Sequence, residues 1–270
     1  MTTTGNKPSA ITGSPFAAIL RPVTRAFQPA RLTRRACGLQ TIILLVAFAL
    51  AGCGGGSAQG DAPSARISDA DAASLLAGIV LQPADLGAGF TQASARVGTN
   101  DEAAKARPDT EKARQQYADW GQVLQYNVQY AAVSSADLVF NAKIARVMNT
   151  ATYYQSPDGA RAALAYTRDL PASTVANFLI SESSGTMITD TQVVKDIAFP
   201  SKGDDSFAWR LTGKAVFENG FTVAFVADSV FVRIGRITGN VTAVALGQAP
   251  DRAAVTALVD AYIAHARTAE

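Results

Sequence analysis

The sequence predicts an α+β fold, an antiparallel β-sheet with a C-terminal three-stranded meander, flanked by helices. Three observations lead there. Residues 122–131 alternate cleanly, with Leu124, Tyr126, Val128 and Tyr130 facing one way and Gln125, Asn127 and Gln129 the other. Residues 207–234 alternate in the same manner and follow one another without intervening helices, as antiparallel strands do. Val255, Leu258, Val259, Tyr262 and Ala266 then recur at helical spacing, so a helix over 251–267 closes the chain.

The elements follow in order. Ser68 and Asp71 start a helix whose stripe is Leu75, Leu76, Ile79 and Val80, ending near Leu81. Residues 83–90 read as a tight turn, with Gly87 and Gly89 in backbone conformations that a side chain hinders. Residues 98–107 read as polar loop, and 108–120 as a helix with Pro108 in its first turn. After the strand at 122–131, residues 144–154 form a second strand, its faces less cleanly sorted and so covered on both sides. Ser156-Pro157-Asp158 caps a helix running to about Arg168. Pro171 opens a short helix carrying Val175, Phe178 and Leu179. A loop around Gly185 and a strand over 192–199 come next, then a polar turn over 200–205.

Register in the following hairpin is decided by burial. A two-residue Asn219-Gly220 turn puts Phe217 and Phe221 on opposite faces. A three-residue loop with Gly220 left-handed pairs Ala215 with Val223 and Gly213 with Phe225, giving one apolar face. A second turn is expected at Asp228-Ser229, and residues 237–247 are extended or looped.

Ahead of this domain stands an export signal. Arg31, Arg34 and Arg35 flank an apolar core, Thr41 to Leu50, too short to span a bilayer. Leu50-Ala51-Gly52-Cys53 follows. This box resembles that of bacterial lipoproteins, and the resemblance implies diacylglycerol on the Cys53 thiol and cleavage before it. The competing reading is a buried helix that happens to end in Gly-Cys. Thr33-Arg34-Arg35 hints at twin-arginine export, but Cys37 and Gly38 break that pattern, and the general secretory route is favoured. The organisation expected is an extension and signal over 1–52, a Gly/Ser-rich tether over 53–67 and one α+β domain over 68–270. Thirteen extended residues of tether reach roughly 40 Å from the lipid surface.

The formal charge of +2 belongs to the leader. Of 24 basic residues, six precede Cys53, and none of the 22 acidic ones do, which leaves 18 against 22 after it. No basic surface argues for nucleic acid. Cys37 and Cys53 are the only cysteines. Cleavage removes one and acylation occupies the other, so no disulfide is expected in a compartment where disulfides persist.

Catalytic constellations are missing from the sequence. His265 is the single histidine and sits near a helix C-terminus, where a positive charge is favourable. No nucleophile elbow, P-loop or dinucleotide fingerprint occurs. Asp204-Asp205 beside Gly203 lacks the alternating spacing of a calcium loop. No metal, cofactor or catalytic residue is therefore expected. Strand aromatics are mostly core, with a subset lining a cleft. Tyr126, Tyr130, Tyr153 and Trp209 are the ligand-binding candidates.

Two local patterns, LQPADLGAGF at 81–90 and TATYYQSPDGARAAL at 150–164, resemble bacterial envelope lipoproteins and the extracellular sensor domain of a mycobacterial serine/threonine protein kinase. The resemblance implies an antiparallel sheet flanked by helices, with a cleft for a ligand. The chain departs from that domain in lacking its disulfides. The function expected is a lipid-anchored, non-enzymatic, extracytoplasmic binding or sensor-like domain. Its partners would be the membrane, through Cys53, and an apolar small molecule or sugar. The alternative is an interaction lipoprotein docking on an envelope protein, and an envelope hydrolase comes third.

Overall fold

Side-chain caps begin most of the helices, as the sequence suggests. In α1 (Asp69–Ile79) the Ser68 hydroxyl accepts from the Asp71 amide at 3.1 Å. In α5 (Pro157–Asp169) the Ser156 hydroxyl accepts from the Gly159 amide at 3.1 Å. In α7 (Arg252–Ala269) an Asp251 carboxylate oxygen accepts from the Ala253 amide at 2.9 Å. Each satisfies an amide that the helix itself leaves without an acceptor. The computed structural model describes residues 67–133, 144–181, 187–216 and 220–270, with backbone alone at 177–181 and 187. The leader, Cys53, the tether, the loop at Gly185 and Glu218-Asn219 lie outside the described residues.

The strands are β1 (Phe90–Gly98), β2 (Gln122–Ala132), β3 (Ile144–Tyr154), β4 (Met187–Val194), β5 (Asp205–Val216), β6 (Thr222–Ile234) and β7 (Ile237–Leu246). They form one antiparallel sheet in the order β1-β2-β3-β7-β6-β5-β4. Two meanders, β1 to β3 and β4 to β7, therefore meet at a β3–β7 seam. This is the α+β class expected, with the C-terminal strands β5, β6 and β7 adjacent.

Helices α1 and α7 cover one face. Leu76, Ile79, Val255 and Val259 pack there on Val128, Val147, Val230 and Val241. Burying each such side chain contributes about 1.5–3 kcal/mol. Gly239 lets α7 approach closely, since a Cβ there would lie 2.1 Å from the Tyr262 hydroxyl oxygen. The exit of α1 is stitched to the same face. The Leu81 amide donates to Asn149 Oδ1 and the Leu81 carbonyl accepts from the Tyr130 hydroxyl, both at 2.8 Å. The opposite face carries α5. Leu164 packs with Phe207, Trp209 and Val175, the last from α6 (Ala172–Ser181). With helices on both sides, Tyr153 and Tyr154 are both buried at the end of β3.

Hairpin register is as burial requires. Ala215 pairs with Val223 and Gly213 with Phe225, and Gly220 has φ +78°. The turn expected at Asp228-Ser229 is not one. β6 runs straight through it, and the chain reverses at Gly235-Arg236, with Ile234 opposite Ile237. The two polar residues are tolerated mid-strand because each has a partner. Arg210 donates to both Asp228 oxygens, at 2.6 and 2.7 Å, and Ser229 bonds Thr242 at 2.8 Å. Residues 237–246 are then a fully paired central strand.

Four other elements also differ. The polar loop at 98–107 holds a short helix, α3 (Asn100–Lys105), started by reciprocal bonds between Thr99 and Glu102. The helix read from Pro108 is α4 (Thr110–Asp119), capped by Asp109, and 83–86 forms a single helical turn, α2 (Pro83–Leu86), before Gly87 and Gly89 at φ +74° and +106°. The strand read over 192–199 is β4, five residues earlier at each end.

Candidate functional site

The earlier end of β4 opens a groove at the sheet edge. Val194 still pairs with Arg210, and the Ile197 amide makes a last backbone bond to the Ala208 carbonyl at 3.0 Å. Pro200 has no amide hydrogen to continue the ladder. The chain from Ala198 to Pro200 departs from β5, and a groove of about 340 Å³ lies between them, lined by Arg168, Ile197, Phe199, Pro200, Ser206 and Phe207 among others.

Its polar groups are largely engaged by one another. Arg168, in the last turn of α5, donates to Asp205 Oδ1 at 2.9 Å and to the Ser206 carbonyl at 3.2 Å. The same guanidinium lies 4.9 Å over the Phe207 ring, a favourable cation–aromatic contact. Ser206 Oγ accepts from the Lys202 amide at 2.8 Å. On the far wall Arg252 donates to the Ala198 carbonyl and lies 5.4 Å over the Phe199 ring. The groove is thus open, mixed in polarity and walled by aromatic rings with cations over them. It suits the side of an extended chain or a flat ring better than an enclosed small molecule. Sequence reasoning missed it because a strand over 192–199 would have filled it. Pro200 was the available signal.

Among the described residues, no three or more His, Cys, Asp or Glu side chains gather as metal ligands do. No helix among them is long and apolar enough to cross a membrane. Asp85 lies 3.7 Å from the single histidine, His265, whose Nδ1 is buried without a partner among the described residues.

The four aromatic candidates do not converge. Tyr126, Tyr130 and Tyr153 lie on the α1/α7 face, and Trp209 lies on the α5 face. Tyr130 is buried with its hydroxyl committed to Leu81. Tyr126 is half-buried beside it. The Tyr153 ring has the Arg236 guanidinium 5.4 Å from its centre. Trp209 is buried between Phe207 and Phe231, at 5.1 and 4.9 Å, with Lys195 Nζ 5.5 Å over its ring. Its indole N–H is buried with no acceptor among the described residues. Cys53 lies outside them.

No family model matches the chain, and no curated protein matches it. Among solved structures, the chain is similar to the extracellular domain of PknH from Mycobacterium tuberculosis. Identity is 11%, over 70% of this chain and 95% of that one, with a TM-score of 0.39.

Proposed function

We propose that this chain is a non-enzymatic recognition domain, sensor-like in role, held by lipid on Cys53 at the extracytoplasmic face of a bacterial membrane. One observation carries the reading. Leu50-Ala51-Gly52-Cys53 stands behind a positively flanked apolar core and ahead of a Gly/Ser-rich tether, the order that export, acylation and display require. The polar chemistry of the domain supports it. Arg210 with Asp228, Asn149 with Leu81 and Arg168 with Asp205 are spent on holding the fold. The ligand, an apolar small molecule or a sugar, would meet aromatic surface at half-buried Tyr126 or at Phe199 and Phe207, which line the groove.

Metabolic labelling with an alkyne fatty acid tests the anchor. The wild-type chain should take up label and fractionate with membranes, and Cys53→Ala should do neither. Label retained by the Cys53→Ala chain would end the lipoprotein reading. Native mass spectrometry of the protein purified from its own envelope tests binding. A discrete retained species that raises the melting temperature when added back is the expected result.

A second reading, docking on an envelope protein, is favoured by the shape of the groove. It is open, and beside it β5 lacks a neighbouring strand from Asp205 to Phe207, an edge where an extended peptide could add. Amide signals of Ser206 to Ala208 that shift with an envelope protein, and with no small molecule, would select this reading.

A further inference from the structure

We propose that the groove beside β5 is a docking site for an extended segment of an envelope protein in which prolines alternate with other residues, a Pro-x-Pro segment. This rests on the reading of the groove as a surface that docks on an envelope protein, and gives that partner a chemistry.

Backbone direction on β5 sets what the groove offers. In a strand the N–H and C=O of one residue point to the same edge, and successive residues alternate between edges. The Ala208 carbonyl accepts from the Ile197 amide at 3.0 Å, on the β4 side. The Ser206 carbonyl, two residues earlier and so on the same side, accepts from Arg168 at 3.2 Å. The Ser206 and Ala208 amides therefore point that way too, into the space that the chain leaves as it departs from Ala198 to Pro200. β4 pairs with β5 no further than Arg210, and neither amide has an acceptor among the described residues. Ala208 is 2% exposed, so its amide is a buried donor at the wall of a cavity. Such a group is costly unless water or a ligand accepts from it.

The edge is thus satisfied on its acceptors and open on its donors. Its two amides are about 6.8 Å apart, the spacing of alternate carbonyls in an extended chain. A chain laid along β5 can accept from both. The residues presenting those carbonyls would also turn their own N–H groups at the Ser206 and Ala208 carbonyls, which Arg168 and Ile197 already hold. Proline has a carbonyl and no N–H, so at those two positions it serves both donors and leaves none of its own unpaired. The residue between the prolines turns its backbone groups away from β5, and the edge makes no demand on it.

The walls agree with this occupant. Half-buried Phe199 and Phe207 line the groove together with Pro200, aromatic and apolar surface of the kind that receives proline rings. A proline segment is also extended before it binds, so docking orders it at little entropic cost. Alanine or valine at the same two places would bury an N–H against an engaged carbonyl.

The test follows the Ser206 and Ala208 amide signals of the full chain in detergent micelles, labelled with nitrogen-15 at serine and alanine. The probes are acetyl-Val-Pro-Thr-Pro-Val-amide and its counterpart acetyl-Val-Ala-Thr-Ala-Val-amide. The proline peptide should shift both amide protons downfield, and the alanine peptide should bind about tenfold more weakly, since it buries amide hydrogens without free acceptors. Ser206→Pro removes one donor on a strand edge, where proline is tolerated, and should weaken the proline peptide about tenfold at an unchanged melting temperature. Phe199→Ala alters a wall and no backbone bond of β5. It should weaken the proline peptide as well, and it decides the matter if Ser206→Pro fails to fold. The proposal is overturned if the proline peptide shifts neither amide, if the alanine peptide binds equally well, or if both variants bind undiminished. Equal binding of the two peptides would remove the demand for proline and leave docking by strand addition standing. Binding of neither would remove both, and a retained native small molecule would then carry the recognition reading alone.

Discussion

Tyr130 and Tyr262 are both buried on the α1/α7 face, but only the Tyr130 hydroxyl has an acceptor there. Removing the two hydroxyls should therefore have different effects. Tyr130→Phe leaves the buried Leu81 carbonyl without its donor and should cost about 1 kcal/mol. Tyr262→Phe removes a hydroxyl that nothing among the described residues satisfies, and should be neutral or stabilise by up to about 1 kcal/mol. Urea unfolding of the pair decides this, and equal losses would mean that Tyr262 has a partner after all. Alkali should act through the same residues. Burial pushes the Tyr154 and Tyr262 hydroxyls well above the usual tyrosine range. Both hold their protons longer folded than unfolded, so their stabilising contribution is complete below about pH 10 and declines as pH rises beyond it. Unfolding midpoints of the wild type should fall above about pH 10, and those of Tyr262→Phe should fall less. A single residue was also where sequence reasoning failed most plainly. Asp228 is a turn former by type, and only the Arg210 guanidinium, 18 positions away, makes it a strand residue.

Hairpins were legible wherever one face had to be buried. The β5–β6 register follows from aligning Ala215 with Val223 and Gly213 with Phe225, and it demanded a left-handed residue at Gly220. A Cβ at Gly220 would meet nothing within 4 Å, so any penalty there is one of backbone conformation alone. Gly220→Val should destabilise by about 1–2 kcal/mol, because a β-branched residue is strained at positive φ. Gly220→Asn should recover much of that, since Asn tolerates the left-handed region. An unchanged midpoint for Gly220→Val would place the turn elsewhere. Other elements were harder. Thr99-Asn100-Asp101-Glu102 holds the Ser/Thr-x-x-Glu signature of a helix start, and the polar composition of the segment hid α3 behind a loop. β4 was placed too late because Val193, Ile197 and Phe199 alternate well. Pro200 and the positive φ of Asp196 end the ladder, and the residues beyond Val194 became a wall of the groove.

At the scale of the whole sheet, class was legible and order was not. Alternation names strands, but nothing local in Ile237–Leu246 says that it lies between β3 and β6. The same gap explains why Tyr126, Tyr153 and Trp209 looked like one set. Alternation sorts faces within a strand, and only the complete pairing puts the first two opposite the third. The order has a consequence for stability. The β3–β7 seam joins the two meanders, and Val147 and Val241 beside it are fully buried. Helix α1 packs on β2 and β3, α7 packs on β6 and β7, and the two helices pack on each other. The two covering helices are thus joined across the seam, and both meanders should unfold in one transition. Hydrogen exchange in the full chain should leave β3 and β7 amides protected longest, with matching opening free energies on both sides of the seam, while the edge strands β1 and β4 exchange first. If β5 and β6 stayed protected after β2 and β3 had exchanged, the meanders would be separate folding units and the seam only a contact between them.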